Sequence, residues 1–127
     1  MSRITQSPPL KTIQQQLGKQ AEDLAVGYLQ NKGFKILKRN YRYKKAEIDI
    51  IAQKNTCLVF VEVKARTSQG FGYPEEAVGP TQQKLIRSAA ENYMRAHDWN
   101  QAIRFDVIAL LQQKGVMEIM HFEDAFY

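Results

Sequence analysis

The stretch from Glu47 to Arg66, EIDIIAQKNTCLVFVEVKAR, gathers side chains of the types that hold a metal ion and a phosphate. Its first arm alternates Glu47, Ile48, Asp49, Ile50, and its second ends Val61, Glu62, Val63, Lys64. Both arms are rich in β-branched residues and flank a polar turn, which predicts a β-hairpin. Side chains alternate faces along a strand, and residues opposite each other across a hairpin share a face. With the turn centred between Lys54 and Asn55, Asp49 stands opposite Phe60 and Glu47 opposite Glu62. Glu47, Asp49, Glu62 and Lys64 then share one side, while Ile48, Ile50, Val59, Val61 and Val63 face a core. A slip of one residue would separate the acidic arms.

Carboxylates crowded on one face repel and shift each other's protonation unless a cation sits among them. Oxygen ligands suit magnesium, which takes one or two carboxylates and fills its shell with water and substrate phosphate. A neighbouring lysine can hold the phosphate or the attacking water as a point charge. The plainer reading is an exposed sheet face laced with Glu–Lys pairs, and spacing alone leaves both open.

The rest of the chain must position this hairpin. Residues 1 to 12, with Pro8 and Pro9, predict a flexible arm ahead of a single domain over 13–127. From Gln14 to Lys32 the apolar Leu17, Ala21, Leu24, Ala25, Tyr28 and Leu29 recur at helical spacing, and Gly33 follows as a C-terminal cap. Glu22 borders that apolar stripe. It either points in towards the hairpin or bounds the stripe with charge.

Phe34 to Tyr43 reads as a strand with interleaved basic residues. Lys32, Lys35, Lys38, Arg39, Arg42, Lys44 and Lys45, with Tyr41 and Tyr43, make a cationic aromatic segment. Such a segment can track a phosphate backbone, the tyrosines stacking on bases. Equally, its lysines can protect an edge strand from aggregation.

After the hairpin, TSQGFGYPEEAVGP predicts a loop with Phe71 and Tyr73 at its tip. A second helix is expected from Thr81, as N-cap, to about His97, burying Leu85, Ile86, Ala89, Ala90, Tyr93 and Met94. Lys84 and Arg87 near its start offer positive charge to phosphate. Strands over Ile103–Leu111 and Val116–Phe122 close the chain, with Arg104 and Asp106 paired on one face. The order helix, three strands, helix, two strands predicts an α/β fold. In it the first three strands form an antiparallel meander and the next is reached by a parallel crossover.

Composition narrows the function classes. At 127 residues, 44% apolar and net charge +5, the chain is one ordinary domain that favours phosphate-bearing partners. Cys57 is the only cysteine, so no internal disulfide forms and a reducing cytoplasm is the expected location. The N-terminal MSRITQSPPLKTIQQQ carries no secretory signal, and no apolar run is long enough to span a bilayer. His97 and His121 have no ligand spacing around them, and GxGxxG, phosphate-loop and GxSxG motifs are absent.

Asp49 followed by EVK at Glu62 to Lys64 is similar to the PD-(D/E)xK signature of the restriction-endonuclease-like nuclease superfamily. More closely, the chain resembles the YraN-like family of bacterial proteins, relatives of the archaeal Holliday-junction resolvases. GKQAEDLAVGYLQNKGFKILKRNYR, EIDIIA, LVFVEVKAR, PEEAV, a helix beginning TQQK, and RFDVIAL carry the resemblance over roughly residues 18 to 127. It implies a restriction-endonuclease-like fold, a central mixed sheet of about five strands flanked by helices.

It further implies that Asp49 and Glu62 bind Mg2+ or Mn2+, that Lys64 positions the water or stabilises the phosphate, and that Glu22 is the helix-borne acid joining them. Glu47 matches the acid of the family's Gly-Glu-Ile-Asp segment, whose glycine is here Ala46, and becomes an outer metal-site acid. The expected activity is a divalent-metal-dependent DNA endonuclease, acting on branched or single-stranded DNA as a homodimer. Lys38, Arg39, Arg42, Lys44, Lys45, Lys84 and Arg87 are the expected DNA contacts. The alternative is a nucleic-acid-binding or recombination-accessory protein that keeps the fold and cuts nothing.

Overall fold

The structure, a computed structural model, describes residues 10–66 and 78–127, with the side chains of residues 10–17 and 113 excepted. Its elements are α1 (Leu10–Asn31), β1 (Lys35–Tyr43), β2 (Ala46–Lys54), β3 (Cys57–Arg66), α2 (Pro80–Ala96), β4 (Ala102–Gln113) and β5 (Val116–Phe126). The strands form one mixed sheet in the order β1-β2-β3-β4-β5. All neighbours are antiparallel except β3 and β4, which run parallel after the crossover through α2. This is the α/β architecture the sequence predicts, consistent with a restriction-endonuclease-like fold.

One helix covers each face. Ala21, Ala25 and Leu29 of α1 pack on Ile50, Ala52, Val59, Val61, Ile108 and Leu110. Ile86, Ala89, Ala90 and Tyr93 of α2 pack on Ile48, Ile51, Leu58, Phe60, Phe105 and Val107. Leu24 and Leu85, expected on the buried stripes, are 44% and 37% exposed.

α1 begins at Leu10, ahead of the Gln14 at which the periodicity starts. Of the arm expected over 1–12, residues 1–9 lie outside the described residues. α1 ends where predicted: Gly33 takes φ +91, Phe34 N–H donates to Leu29 O at 2.9 Å, and Gly33 N–H donates to Gln30 O at 3.0 Å. Most of the loop expected over 67–80, Phe71 and Tyr73 included, lies outside the described residues.

Thr81 is not the cap of α2. Gly79 holds that place without a side-chain cap bond, and Pro80 opens the helix. Proline suits that position because its φ is preset and its missing N–H would have had no helical partner.

The hairpin register differs from expectation by two residues. The ladder pairs Ile50 with Val61, Ile51 with Phe60 and Lys54 with Cys57, so the turn is Asn55-Thr56. Asn55 takes the left-handed φ of 55° that such two-residue turns require. Continued by one step, this register sets Asp49 beside Glu62 instead of Phe60.

Expected on one core face, Ile48 and Ile50 fall on opposite ones. Ile48 packs under α2 and Ile50 under α1. The alternation therefore breaks at Asp49, between them. At that point Val63 N–H donates to Asp49 Oδ2 at 2.8 Å. A side chain thus satisfies a strand N–H just beyond the β2–β3 ladder pairs.

On the α1 side of β4, Asp106 is fully buried and accepts Arg104 Nε and Arg104 NH2, each at 2.8 Å, as the sequence predicts. It also bonds His121 Nε2 at 2.7 Å, and His121 Nδ1 lies 3.1 Å from the Tyr28 hydroxyl of α1. Asp124, at φ 54° near the β5 register shift, donates its N–H to Asp106 Oδ1 at 3.0 Å. Burial alone would raise this carboxyl's pKa, but His121, Arg104 and the Asp124 N–H hold it below the usual range. Asp106→Ala takes the acid from His121 Nε2 and from a bulge N–H, and leaves Arg104 only Glu123, at 3.7 Å. We expect a loss of about 3–5 kcal/mol, read by urea unfolding.

Candidate active site

Glu62 and Lys64 leave β3 on the side covered by α2, two residues apart, as strand alternation requires. Glu62 is only 7% exposed. Its carboxyl is pushed up to about 9, by burial first, then by hydrogen bonding with Asp49 and by Asp49's charge. Lys64 pulls it the other way, and Glu47 adds a further push upward. Asp49 lies in the break of the β2 alternation, one oxygen committed to Val63 N–H. The two carboxyls are thus close enough that they resist ionising together without a cation.

Gln82 in the first turn of α2 completes this cluster. Its Nε2 donates to Glu62 Oε2 at 3.1 Å, and its Oε1 accepts from Lys64 Nζ at 3.2 Å. Sequence reasoning singled out no role for it. The only signal was its place in TQQK, at the start of the helix that follows the EVK strand.

Glu22 comes from the opposite helix. Its carboxyl is raised by burial first and by the Asp49 charge second, so it lies within the field of the site. Arg39 opposes that rise, its NH2 3.4 Å from Glu22 Oε1 and 2.7 Å from Asp23 Oδ1. An open groove of about 600 Å³ runs beside it, lined by Gly18, Lys19, Glu22, Arg39 and Asn40. Glu47 turns away to Arg42, its partner across β1, with Arg42 Nε 3.2 Å from Glu47 Oε2. Among the described residues, no three His, Cys, Asp or Glu side chains stand together closely enough to hold an ion. The structure therefore brings Asp49, Glu62 and Lys64 together, places Glu22 nearby, and sets Glu47 apart.

The expected DNA contacts divide. Arg39 and Arg42 are held by acids, and Arg87 NH1 donates to Tyr127 O at 2.7 Å. Lys44 lies 5.3 Å over the Tyr43 ring. Lys38, Lys45 and Lys84 are exposed and take part in none of the salt bridges among the described residues. Tyr41, expected as a base-stacking group, packs edge-on to Tyr93 at 5.3 Å, and its hydroxyl bonds Asn92. That ring belongs to the α2 core because α2 covers this face of the edge strand.

Asp49 and Glu62 present hard oxygen donors, and a divalent cation would offset both the burial and the Asp49 charge that raise the Glu62 carboxyl, so the residues fit such an ion. No helix among the described residues is long and apolar enough to cross a membrane.

Comparison with known proteins places these residues within the length of chain that one family model matches. The family model described as "Uncharacterised protein family UPF0102" matches residues 21–110, which include Glu22, Asp49, Glu62, Lys64 and Gln82. UPF0102 protein FP2501 of Flavobacterium psychrophilum is 50% identical over 111 residues, covering 87% of this chain and 93% of that protein. A UPF0102 protein of Christiangramia forsetii is 42% identical over 112 residues, covering 88% and 94%. UPF0102 protein Cpha266_0037 of Chlorobium phaeobacteroides is 44% identical over 117 residues, covering 87% and 92%.

Proposed function

The chain belongs to the uncharacterised protein family UPF0102, within the restriction-endonuclease-like nuclease superfamily, and from its site we propose that it is a Mg2+- or Mn2+-dependent phosphodiesterase that cuts DNA. The observation that carries this reading is Glu62, a buried carboxyl beside Asp49 that stays protonated to about 9, on the same strand face as Lys64. Asp49 and Glu62 would hold the ion. When bound, such an ion lowers the pKa of its water and neutralises charge developing on the scissile phosphate.

The chain's own groups do the rest. Lys64 holds the attacking water or a phosphate oxygen as a point charge. Glu22 adds negative charge from the far side and is steadied by Arg39. Lys38, Lys45 and Lys84 are exposed cations that can meet the DNA backbone, because among the described residues no acid pairs with them. The resemblance to the resolvases is what supports branched or single-stranded DNA as the substrate and a homodimeric assembly.

The test is a screen of single-stranded, duplex and four-way-junction DNA with each metal. Wild type is expected to cleave, and Asp49→Ala and Lys64→Ala are expected to be inert. Cleavage that survives in both variants sinks the assignment.

Two observations favour a second reading. No group of three ligands stands together among the described residues, and Glu22 is tied to Arg39. Both suit an accessory protein that binds nucleic acid without cutting. Calorimetry separates the two: a working site gives a magnesium heat that Glu62→Ala abolishes, whereas a vestigial one gives none in either protein.

A further inference from the structure

Gln82 is the third residue of α2, after Pro80 and Thr81. A glutamine there ordinarily reaches back to the cap of its own helix. Here it turns to β3 and touches both Glu62 and Lys64.

The direction of its amide is fixed by chemistry. An ammonium offers only donors, and the Glu62 oxygen facing Gln82 acts as an acceptor, so the amide oxygen must face Lys64 and the nitrogen Glu62. Flipped, it would set its NH2 against the Lys64 ammonium and lose that bond. Without it, a glutamate and a lysine two apart on one strand face would be free to close into a direct ion pair. That pair would neutralise the amine and occupy a carboxylate oxygen. A neutral amide keeps them apart without changing the charge of the site.

The helix is held firmly enough to do this. Val78, just before it, is fully buried, and Gln83 Nε2 donates to Val78 O at 2.7 Å. Ile86, Ala89, Ala90 and Tyr93 then fasten α2 to the sheet.

We propose that Gln82 is a positioning residue: its amide spaces the Lys64 amine from the Glu62 carboxyl and orients both for the metal and the phosphate. This rests on the phosphodiesterase reading. It assigns a role to α2 that the acidic hairpin alone does not have.

The test compares the full chain with Gln82→Leu, which keeps the size and removes both bonds, and with Gln82→Glu, which keeps the acceptor facing Lys64. Two readouts need no substrate: Mn2+ affinity by calorimetry, and the Lys64 ammonium signal in a proton–nitrogen spectrum, assigned with Lys64→Arg. For Gln82→Leu we expect Mn2+ affinity to fall about tenfold or more, the usual effect of removing a group that orients a ligand. The Lys64 signal should broaden away. On DNA that wild type cleaves, kcat should fall about tenfold or more while KM changes less than about threefold. Gln82→Glu should keep the Lys64 signal and still lose kcat.

Wild-type Mn2+ affinity and an unchanged Lys64 signal in Gln82→Leu overturn this inference alone. A wild type that neither binds Mn2+ nor cleaves any DNA overturns the phosphodiesterase reading, and this inference falls with it. If Gln82→Leu does not fold, Gln82→Glu decides. A carboxylate is well tolerated in a first helical turn, and an unreduced kcat there refutes the role.

Discussion

Asp49→Asn should abolish measurable Mn2+ binding and slow DNA cleavage by about 10³-fold while leaving the fold intact. Asp49 has two tasks that this substitution separates. Its Oδ2 accepts the Val63 N–H at 2.8 Å, where the alternation of β2 breaks. Its charge, beside Glu62, supplies half of the proposed cation site. An asparagine oxygen can still take the Val63 N–H, so only the charge is lost. Asp49→Ala removes both, and a strand N–H left unpaired costs about 1–3 kcal/mol more. The melting temperatures should therefore rank wild type near Asp49→Asn and well above Asp49→Ala. Calorimetry with Mn2+ and single-turnover cleavage complete the measurement. An Asp49→Asn protein that binds Mn2+ as tightly as wild type, or cuts within about tenfold of it, removes Asp49 from the mechanism.

The comparison of Asp49 and its neighbours shows what a sequence can specify about this site. Element order and the parallel crossover follow from period and punctuation, which are local, so they were legible. The register was off by two because the turn is set by Asn55, whose left-handed φ moves the bend one residue along. An even error keeps every side chain on its face, so Glu62 and Lys64 remained on the expected side. The break at Asp49 is different: Ile48 and Ile50 alternate correctly in sequence yet pack under different helices. Nothing local announces it.

The same division runs through the polar contacts. Arg104 and Asp106 lie two apart on one strand, and their pairing was legible. Tyr28 and His121 join them from α1 and β5, brought in by tertiary packing alone. Arg39 looked free for phosphate because its two acids lie on α1, remote in sequence. Gln82 looked like an ordinary first-turn residue because its partners lie on β3. Charges and amides that act across elements are the part a one-dimensional reading misses.

Glu62→Gln should make the metal-free protein more stable than wild type above about pH 7, and the gain should widen with pH. The folded carboxyl is raised from 4.5 to about 9, first by burial and then by Asp49. In the unfolded chain it ionises near its ordinary value. Between those values the native state binds more protons than the unfolded state, so its stability falls as pH rises. The contribution is fully present below about 4.5 and is lost as pH passes through about 9.

The slope from one group is at most about 1.4 kcal/mol per pH unit. Glutamine keeps a similar shape and carries no charge at any pH, so it removes this slope. Urea unfolding in EDTA at pH 5, 7 and 9 reads the difference, and groups common to both proteins cancel. The curves should meet near pH 5 and separate above it.

Near neutral pH, Mn2+ at about 1,000 times its Kd should reverse the ranking, because it adds about 4.1 kcal/mol to the protein that binds it. The substitution would then stabilise the empty site and disable the filled one, as expected if the proton on Glu62 stands in for the ion. A difference between the two proteins that stays constant from pH 5 to 9 would mean Glu62 is already ionised without metal. The electrostatic case for a cation beside Asp49 would lose its premise.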